Sequence, residues 1–394
     1  MAFAYPPTEI SPLLSAIILA DDLTGACDSA AAFAVCGRDT RVALDFKSLE
    51  KAQGHVLSCS LESRNLSPQE AARRMSEAVK GVPQGAGLLY CKIDSAGRGP
   101  IGASTLSLAD AVGCDWTIVT PAYPDQGRRV RNGVLQVETG NREAARQVPL
   151  ASLFPEESEP LLAAIAVGNV EECRRQISAA LAAGKRILLC DAETQGDLST
   201  LVEAARRANH GRVLWCGSAG LARALAELDS PAGTVQGSAF EPGFEPGIDG
   251  PCLVFAGTPH RVTAVQLQML AQIDGVLRIN CECGNGTFAP NVRCVVVNVK
   301  CGETTDSEIC DVWRQSHEAW EIRGLVLTGG DTASMVLRAL KADSILIRGE
   351  VANGIPWGII EGGLATGHRV VTKSGGFGNR SSLMDVVRFL EQSA

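Results

Sequence analysis

Short apolar runs alternate with segments of helical periodicity along most of this 394-residue chain. They predict strands at residues 16–20, 56–60, 88–93, 116–120, 187–190, 213–216, 252–256, 276–280, 294–299, 325–328, 344–348 and 369–372. Strands that are separated by helices pair as parallel neighbours through right-handed crossovers. The sequence therefore predicts an α/β fold with largely parallel sheets.

The alternation breaks once, in a stretch rich in proline and glycine between residues 231 and 250. This stretch has neither helical nor strand periodicity, which is typical of a linker. A chain of this length also exceeds the size of one ordinary hydrophobic core. We therefore predict an N-terminal α/β domain over residues 1–230, a linker over 231–250 and a C-terminal α/β domain over 251–394.

The composition excludes several classes of protein. A formal net charge of −8 argues against a nucleic-acid partner, because phosphate backbones need a basic surface. No apolar run has the length that a membrane span requires, and none of the 14 cysteines forms a C-x-x-C pair. We therefore expect a reduced, cytoplasmic protein without a membrane or nucleic-acid partner, and no metal ligands are identified.

The predicted strand at 325–328 ends in a glycine turn and leads directly into a helical pattern. The turn is Gly329-Gly330-Asp331-Thr332. Glycine lets a phosphate approach the backbone, and the free N–H groups of a helix start attract anions. The turn therefore predicts a phosphate site, with an ordinary turn capped by Asp331 or Thr332 as the alternative.

Two further strands of the C-terminal domain end in loops of the same character. Gly257 and Thr258 follow the strand at 252–256, and Gly375 and Gly376 follow the strand at 369–372. Small side chains and many backbone donors are what phosphate cradling needs. Three such loops in one domain predict a nucleotide-binding site.

Two adjacent carboxylates, Asp21 and Asp22, follow the first strand of the N-terminal domain. Ligands of open α/β sheets bind at the carboxyl ends of the strands. Two carboxylates would repel each other there unless hydroxyl groups, a cation or backbone donors compensate. A polyol is therefore one candidate ligand, and a helix cap beside a solvent-facing aspartate is the alternative.

A second charged group closes the strand at 88–93. Lys92 and Asp94 share one face of this strand, because side chains alternate with a period of two. Lys92 and Arg98 could hold an anion next to Asp94 as a base, and Arg64 could add a bidentate clamp for a carboxylate. A surface salt bridge is the alternative.

Other enzyme classes lack their sequence signatures. The five histidines neighbour no nucleophile, which excludes a Ser-His-Asp arrangement. There is neither a Walker motif nor a G-x-G-x-x-G after a strand, so the sequence does not support a Walker kinase or a dinucleotide enzyme.

Eight motifs in order along the chain carry a resemblance to one family. They are ADDLTGACDSA (20–30), SR (63–64), KIDS with RG (92–99), PAYPDQGR (121–128), GSAGLA (217–222), GGDTA (329–333), GIPWG (354–358) and TKSGGFG (372–378). With these motifs the chain resembles the four-carbon acid sugar kinases, which include threonate, erythronate and 3-oxo-tetronate kinases.

The resemblance implies an acid-sugar domain, an ATP domain and an active site in the cleft between them. It implies that the acid meets Asp21 or Asp22, Arg64, Lys92, Asp94 and Ser95. It implies that ATP meets Thr258, Gly329, Gly330, Asp331, Thr332 and Gly375. Threonate, erythronate and 3-oxo-tetronate all stay open as acceptors, as do the phosphorylated hydroxyl and the oligomeric state, with a homodimer as one alternative.

Three positions depart from the family pattern. The family has Thr-Leu where this chain has Ala96-Gly97, and Gly-Ser-Cys-Ser where this chain has the loop from Gly257 to His260. The segment after Gly133 also lacks the pattern that the family has there. We expect an altered acceptor or lost activity from the first and third departures, and a weaker nucleotide contact from the second.

Together these features predict an ATP-dependent kinase of a small sugar acid. Arg64 and Lys92 would bind the acid's carboxylate, and Asp94 or Asp22 would orient or deprotonate the attacking hydroxyl. Such chemistry usually uses Mg²⁺, and Asp331 would either cap its helix or reach the ion. A non-catalytic protein that binds a sugar acid or a nucleotide is the alternative.

Overall fold

The computed structural model describes residues 14–82, 87–138, 146–230, 250–281 and 292–391. The strands up to residue 230 are β1 (Ala16–Ala20), β2 (Thr40–Ala43), β3 (Val56–Ser60), β4 (Leu88–Lys92), β5 (Trp116–Thr120), β6 (Arg128–Arg131), β7 (Val134–Val137), β8 (Arg146–Pro149), β9 (Leu162–Ile165), β10 (Ile187–Cys190) and β11 (Val213–Gly217). The α-helices of this half are α1 (Leu23–Ala34), α2 (Phe46–Lys51), α3 (Pro68–Lys80), α4 (Ile101–Val112), α5 (Val170–Ala182), α6 (Gln195–Ala208) and α7 (Ala219–Leu228).

The second half follows residue 250, and the predicted linker before it lies outside the described residues apart from Gly250. Its strands are β12 (Cys252–Ala256), β13 (Val276–Asn280), β14 (Cys294–Asn298), β15 (Gly324–Thr328), β16 (Ser344–Ala352), β17 (Ile355–Glu361) and β18 (Arg369–Lys373). Its helices are α8 (Arg261–Leu270), α9 (Asp306–Trp320), α10 (Gly330–Ala339) and α11 (Ser382–Glu391).

All twelve predicted runs are strands, but the sequence did not predict β2, β9, β17 or the small antiparallel sheet β6-β7-β8. β2 has only four residues, two of them polar. β17 contains Pro356 and Gly358, which predict a turn rather than a strand. Pro356 is accommodated because its partner Glu350 adjoins a shift in register, where ladder hydrogen bonds are interrupted.

The strands of both halves belong to one fifteen-stranded sheet, which the sequence did not predict. Its order is β13-β14-β12-β15-β18-β17-β16-β2-β3-β1-β4-β11-β5-β10-β9. Within this fifteen-stranded sheet, every pair of neighbouring strands is parallel except β2–β16, β16–β17 and β17–β18. The α/β class with largely parallel pairing is therefore confirmed, and the hairpin of β16 and β17 joins the two halves edge to edge.

The sheet curls around α1. In a flat sheet the three antiparallel pairings would point the strands of the two halves in opposite directions. Instead, α1 contacts β1, β3 and β4 on one side and β16, β17 and β18 on the other. Strand twist accumulates across a sheet, and the two register shifts between β16 and β17 add local bending. The curl brings the carboxyl ends of strands from both halves together.

Small side chains let α1 fit inside the curl. Eleven of its twelve residues are buried, and most are alanine, glycine, serine or cysteine. A methyl group on Gly25 would lie 2.5 Å from Lys92 Nζ and 2.6 Å from Asp22 Oδ1. The helix is therefore buried on all sides, as expected of a helix without a polar face.

The tip of the β16–β17 hairpin docks on the N-terminal half. The Tyr123 hydroxyl lies 2.9 Å from Asn353 Oδ1 and 3.1 Å from Asp28 Oδ1. Arg223 Nη2 donates to both carboxylate oxygens of Glu350, at 2.8 and 2.6 Å. These contacts place the carboxyl group of Asp28, in the middle of α1, inside the interface.

None of the described helices is long and apolar enough to cross a membrane.

Burial, reinforced by the charge of Glu350, raises the pKa of Asp28 from 3.8 to about 7. Because the folded pKa is the higher one, the stabilising proton is present at low pH and is lost as the pH rises through 7. We predict that the Asp28→Asn variant gains stability relative to the native chain as the pH rises from about 4 to about 7, by up to about 1.4 kcal/mol per pH unit, and that the difference levels off above pH 7.

Urea unfolding at several pH values measures this difference. Asp110→Asn, on an exposed position of α4, is the control and should run parallel to the native chain. A constant difference between Asp28→Asn and the native chain across this pH range would contradict the prediction.

Candidate active site

The carboxylates predicted at the end of β1 both lie in the buried region above α1. Asp22 is the N-cap of α1: its Oδ1 accepts from the Gly25 amide at 2.7 Å, and its Oδ2 accepts from the Thr24 hydroxyl at 2.7 Å. Asp21 is not solvent-facing, since its side chain is only 13% exposed. The turn after β1 therefore caps α1 through Asp22 and also brings two carboxylates close together.

Arg64 neutralises this pair. Its Nε and Nη2 donate to the two oxygens of Asp21 at 2.7 and 2.9 Å, and its Nη1 donates to Asp22 Oδ2 at 2.6 Å. Asp94 Oδ1 lies 3.6 Å from Nη2. The predicted clamp for a ligand carboxylate is therefore engaged by the chain's own carboxylates.

The motif after β4 completes the cluster. Lys92 is buried, with its Nζ 3.8 Å from Asp21 Oδ1. Arg98 grips Asp94 with two hydrogen bonds, Nη2 to Oδ1 at 2.7 Å and Nε to Oδ2 at 2.9 Å, while the adjacent Ser95 is buried. The backbone amides of Ala96 and Arg98 also donate to Asp94 Oδ2, each at 3.1 Å.

The environments of the three carboxylates differ. Burial raises the pKa of Asp21, and the nearby charges of Arg64 and Lys92 do not reverse this. Burial acts in the same direction on Asp22, but Arg64, Lys92 and the hydrogen bond from Thr24 together lower its pKa. Arg64 and Arg98 overcome burial at Asp94 and hold its pKa far below its ordinary value. Asp22 and Asp94 therefore carry full charge at neutral pH.

A small pocket opens beside this cluster. Its lining includes the charged residues Asp21, Lys92 and Arg98 and the apolar residues Met75 and Ile101. A cation, a carboxylate and an apolar wall suit a small polar molecule that carries a negative charge.

The three glycine loops of the C-terminal half lie side by side, because β12, β15 and β18 are neighbours and run parallel. Thr258 is at their centre. A methyl group on Gly375 would lie 2.6 Å from Thr258 Oγ1, and one on Gly329 would lie 3.0 Å from Thr258 Cβ. Gly329 also has a φ of +94°, which other residues rarely adopt. The fit of these loops therefore depends on glycine.

The alternative with Asp331 or Thr332 as the helix cap is wrong. Gly329 is the N-cap of α10, and no side chain caps this helix. Asp331 is exposed in the first turn, and Thr332 is buried against Gly257. The amides at this helix start keep their outward-facing hydrogen-bonding capacity, because no side chain of the cap occupies them.

A buried lysine supports the loop from 374 to 378. Lys373 Nζ donates to the carbonyl oxygens of Ser374 and Phe377, at 2.9 and 3.2 Å, and to Thr263 Oγ1 at 3.2 Å. Burial lowers its pKa to about 7. The sequence alone predicts no role for Lys373, because a lysine at a strand end ordinarily points to solvent.

The acidic cluster and the glycine loops are in direct contact. A methyl group on Gly330 would overlap Asp22 Oδ2. Beside it, the Ser334 hydroxyl of α10 donates to Glu62 Oε1 at 2.8 Å. Glu62 has a φ of +46° in the turn after β3, a conformation that no local pattern predicts for a glutamate. The two regions that the sequence predicts as binding sites are thus in contact.

The structure also shows what surrounds the residues that depart from the family pattern. Gly97 has a φ of +71°, and a methyl group there would lie 3.2 Å from Leu135 Cδ2. The Ala96-Gly97 turn therefore packs closely against the small sheet. His260 caps α8 through its Nδ1, which accepts from the Val262 amide at 3.2 Å. Part of the segment after Gly133, residues 139–145, lies outside the described residues.

Two family models match the chain. A model described as a sugar-binding N-terminal domain matches residues 16–225, and one described as a nucleotide-binding C-terminal domain matches residues 296–383. The D-threonate kinase of Cupriavidus necator is 30% identical over 96% of this chain and 99% of its own length. The 3-oxo-tetronate kinase of Pseudomonas fluorescens is 27% identical over 94% and 95%.

A crystal structure from Salmonella typhimurium LT2 has a TM-score of 0.73 at 20% identity, over 94% of this chain and 98% of that one. At this identity the likeness shows a shared fold. One family model matches more than half of the chain, and the relatives match over nearly its full length. The chain therefore belongs to the four-carbon acid sugar kinase family.

The contact between Gly330 and Asp22 predicts a cost for any side chain at position 330. Because Thr24, Gly25 and Arg64 hold the Asp22 carboxylate, it cannot move away freely. We expect Gly330→Ala to lower the free energy of unfolding by about 1–3 kcal/mol in urea titrations.

Gly196→Ala is the matched control, since Gly196 also lies in the first turn of a helix. A methyl group there would lie 3.6 Å from its nearest neighbour, Thr194 Oγ1. We expect this variant to be as stable as the native chain or more stable, by about 0.5 kcal/mol. Equal stability of the two variants would show that Gly330 and Asp22 are not in contact.

Proposed function

We propose that this chain is an ATP-dependent kinase that phosphorylates a hydroxyl group of a four-carbon sugar acid. The observation that carries the proposal is the contact between Asp22 and Gly330, where the polar cluster of one half meets the glycine loops of the other. Kinase chemistry consists mainly of positioning a nucleotide and an acceptor against each other. Relatives over the full length are named D-threonate kinase and 3-oxo-tetronate kinase.

ATP is assigned to the loops around Thr258. Gly329, Gly330, Gly375 and Gly376 present backbone amides without side chains, and the start of α10 adds its helix dipole. Thr332 is packed against Gly257, next to these loops. The donor set and the small side chains fit a polyphosphate.

Mg²⁺ belongs to the proposal as the partner of ATP. Among the described residues no three His, Cys, Asp or Glu side chains form a group that could hold a metal. Magnesium bound to ATP keeps waters and phosphate oxygens and needs only one or two carboxylates. Asp331, exposed beside the glycine turn, is the carboxylate that fits this part. The ion would neutralise the charge of the phosphates.

The acid is assigned to the pocket beside Lys92. The N–H groups of Arg64 already serve Asp21 and Asp22, so Lys92 is the cation we assign to the acid's carboxylate. Arg98 lines the same pocket, and Ser95 remains a candidate contact of the acid from the same turn. Arg64 then acts by keeping the two carboxylates of Asp21 and Asp22 close together. Their oxygens are acceptors for the hydroxyl groups of the acid.

Of the two candidate bases, we assign Asp22. The pKa of both carboxylates is lowered, so their positions decide between them, and Asp94 is held by Arg98 and two backbone amides. Asp22 lies against Gly330, next to the proposed position of the phosphates. Its carboxylate would orient the attacking hydroxyl toward the nucleotide.

The 13 described cysteines are free, which supports a reducing compartment such as the cytoplasm.

Measuring ADP release tests the proposal. With ATP and Mg²⁺, at least one of threonate, erythronate and 3-oxo-tetronate should stimulate release well above the rate without an acid. Asp22→Asn should lower kcat by about 10²-fold or more with little change in KM for ATP. Asp94→Asn should chiefly raise KM for the acid.

The same assay separates the kinase from a non-catalytic binding protein. A binding protein would bind acid and nucleotide in calorimetry, and none of the three acids would stimulate ADP release. That result would refute the proposed function.

A further inference from the structure

Arg128 reaches from the N-terminal half to the glycine loop of the other half. It follows Gly127, whose φ of +73° turns the chain, and it opens β6. Its Nη1 donates to the carbonyl oxygen of Gln126, and its Cζ lies 5.1 Å from the centre of the Phe377 ring. A methyl group on Gly376 would lie 3.6 Å from its Nη2. The guanidinium group is therefore fixed beside the proposed phosphate loop.

The charge of Arg128 has no close carboxylate among the described residues, unlike that of the two other largely buried arginines in the interface. Arg64 and Arg223 each have a carboxylate oxygen within 2.6 Å. Arg128 forms none of the described salt bridges, and its buried Nε has no hydrogen-bond partner there. Burial lowers its pKa, and the more distant Asp94 only partly compensates. A buried cation of this kind needs a negative charge from another source.

Other basic groups face the same place from both halves. The charges of Lys373, Arg98 and Arg128 all act on His260, whose pKa they lower together with burial. The electrostatic environment of His260 is therefore positive, which favours an anion at this place.

We propose that Arg128 is a catalytic residue that binds the phosphoryl group during its transfer. This assignment rests on the proposed kinase function. In the transfer, the acceptor hydroxyl oxygen forms a bond to the γ-phosphorus, and the bond from that phosphorus to the β–γ bridging oxygen breaks. The electron pair leaves with ADP, and the hydroxyl proton passes to Asp22 and then to solvent.

Arg128 is chemically unchanged in this step. Its guanidinium group donates hydrogen bonds to the non-bridging oxygens, where negative charge gathers in the transition state. Because the group comes from the acid-binding half and touches the nucleotide loop, it is correctly placed only when both halves are together. An arginine supplied within the same chain in this way contributes about 10³-fold or more to the rate of comparable enzymes.

Steady-state kinetics with variants of Arg128 test the role. Arg128→Met should lower kcat by about 10³-fold while KM for ATP changes by less than about threefold. Arg128→Lys, which keeps the charge but loses the planar fork, should recover only part of the rate. Added guanidinium chloride should partly restore the rate of Arg128→Ala.

Arg129→Met is the matched control. Arg129 is the next residue of β6, but its side chain is exposed and pairs with Glu138. We expect this variant to keep the native kcat and both KM values. Calorimetric binding of ADP should be the same in Arg128→Met, Arg129→Met and the native chain.

Two results would overturn the role of Arg128 alone. One is an Arg128→Met kcat within about fivefold of that of an active native chain. The other is a loss of kcat that comes with equal losses of ADP affinity and melting temperature, since a purely structural role predicts this pattern. If the native chain turns over none of the acids, the proposed function fails, and the role of Arg128 fails with it.

Discussion

The packing of α1 inside a curled sheet is the constraint on which the rest of the structure depends. The helix touches strands of both halves, and its small side chains allow both layers of the sheet to approach. Its N-terminus carries Asp22 to the point where the strand ends of the two halves meet. A larger side chain at Gly25 would displace Lys92 and Asp22 together. Fold and site are therefore coupled through one helix.

Charge balance is the second condition that the site has to meet. Asp22 and Asp94 are buried and Asp21 is largely buried, and separate buried carboxylates would be strongly unfavourable. Arg64 lies between them and contacts all three, so the carboxylates can stay close together and available to hydroxyl groups. On the opposite side of the site the excess charge is positive, around Arg128. A phosphoryl group that moves between the two sides would meet hydrogen-bond donors on the side of Arg128 and carboxylate acceptors on the side of Asp22.

Local sequence patterns predicted those parts of the molecule that depend on local physics. The twelve apolar runs, the glycine turn at Gly329 and the common location of three glycine loops followed from strand periodicity and from parallel topology. The pairing of β16 with β17 did not, because Pro356 and Gly358 favour a turn and only tertiary packing overrides them. The engagement of Arg64 by Asp21 and Asp22 also depends on residues more than forty positions apart in the chain.

The position of Arg128 shows the same limit more clearly. In the sequence it ends the PAYPDQGR motif, but it is one of three arginines between residues 128 and 131, and no pattern there assigns it a role. Only the curl of the sheet brings it to Phe377, almost 250 residues away along the chain. Long-range contacts of this kind depend on the whole topology, which no short pattern contains.

A crystal structure with a non-hydrolysable ATP analogue and the preferred acid tests the central claim most directly. The account predicts the triphosphate on the amides of Gly329, Gly330 and Gly375, and the acid in the pocket beside Lys92. The distance from the acid's hydroxyl oxygen to the γ-phosphorus should be about 3–3.5 Å, with Asp22 in hydrogen-bonding contact with that hydroxyl. An acid bound away from Asp22, or a triphosphate that does not touch the Gly329 turn, would contradict the account.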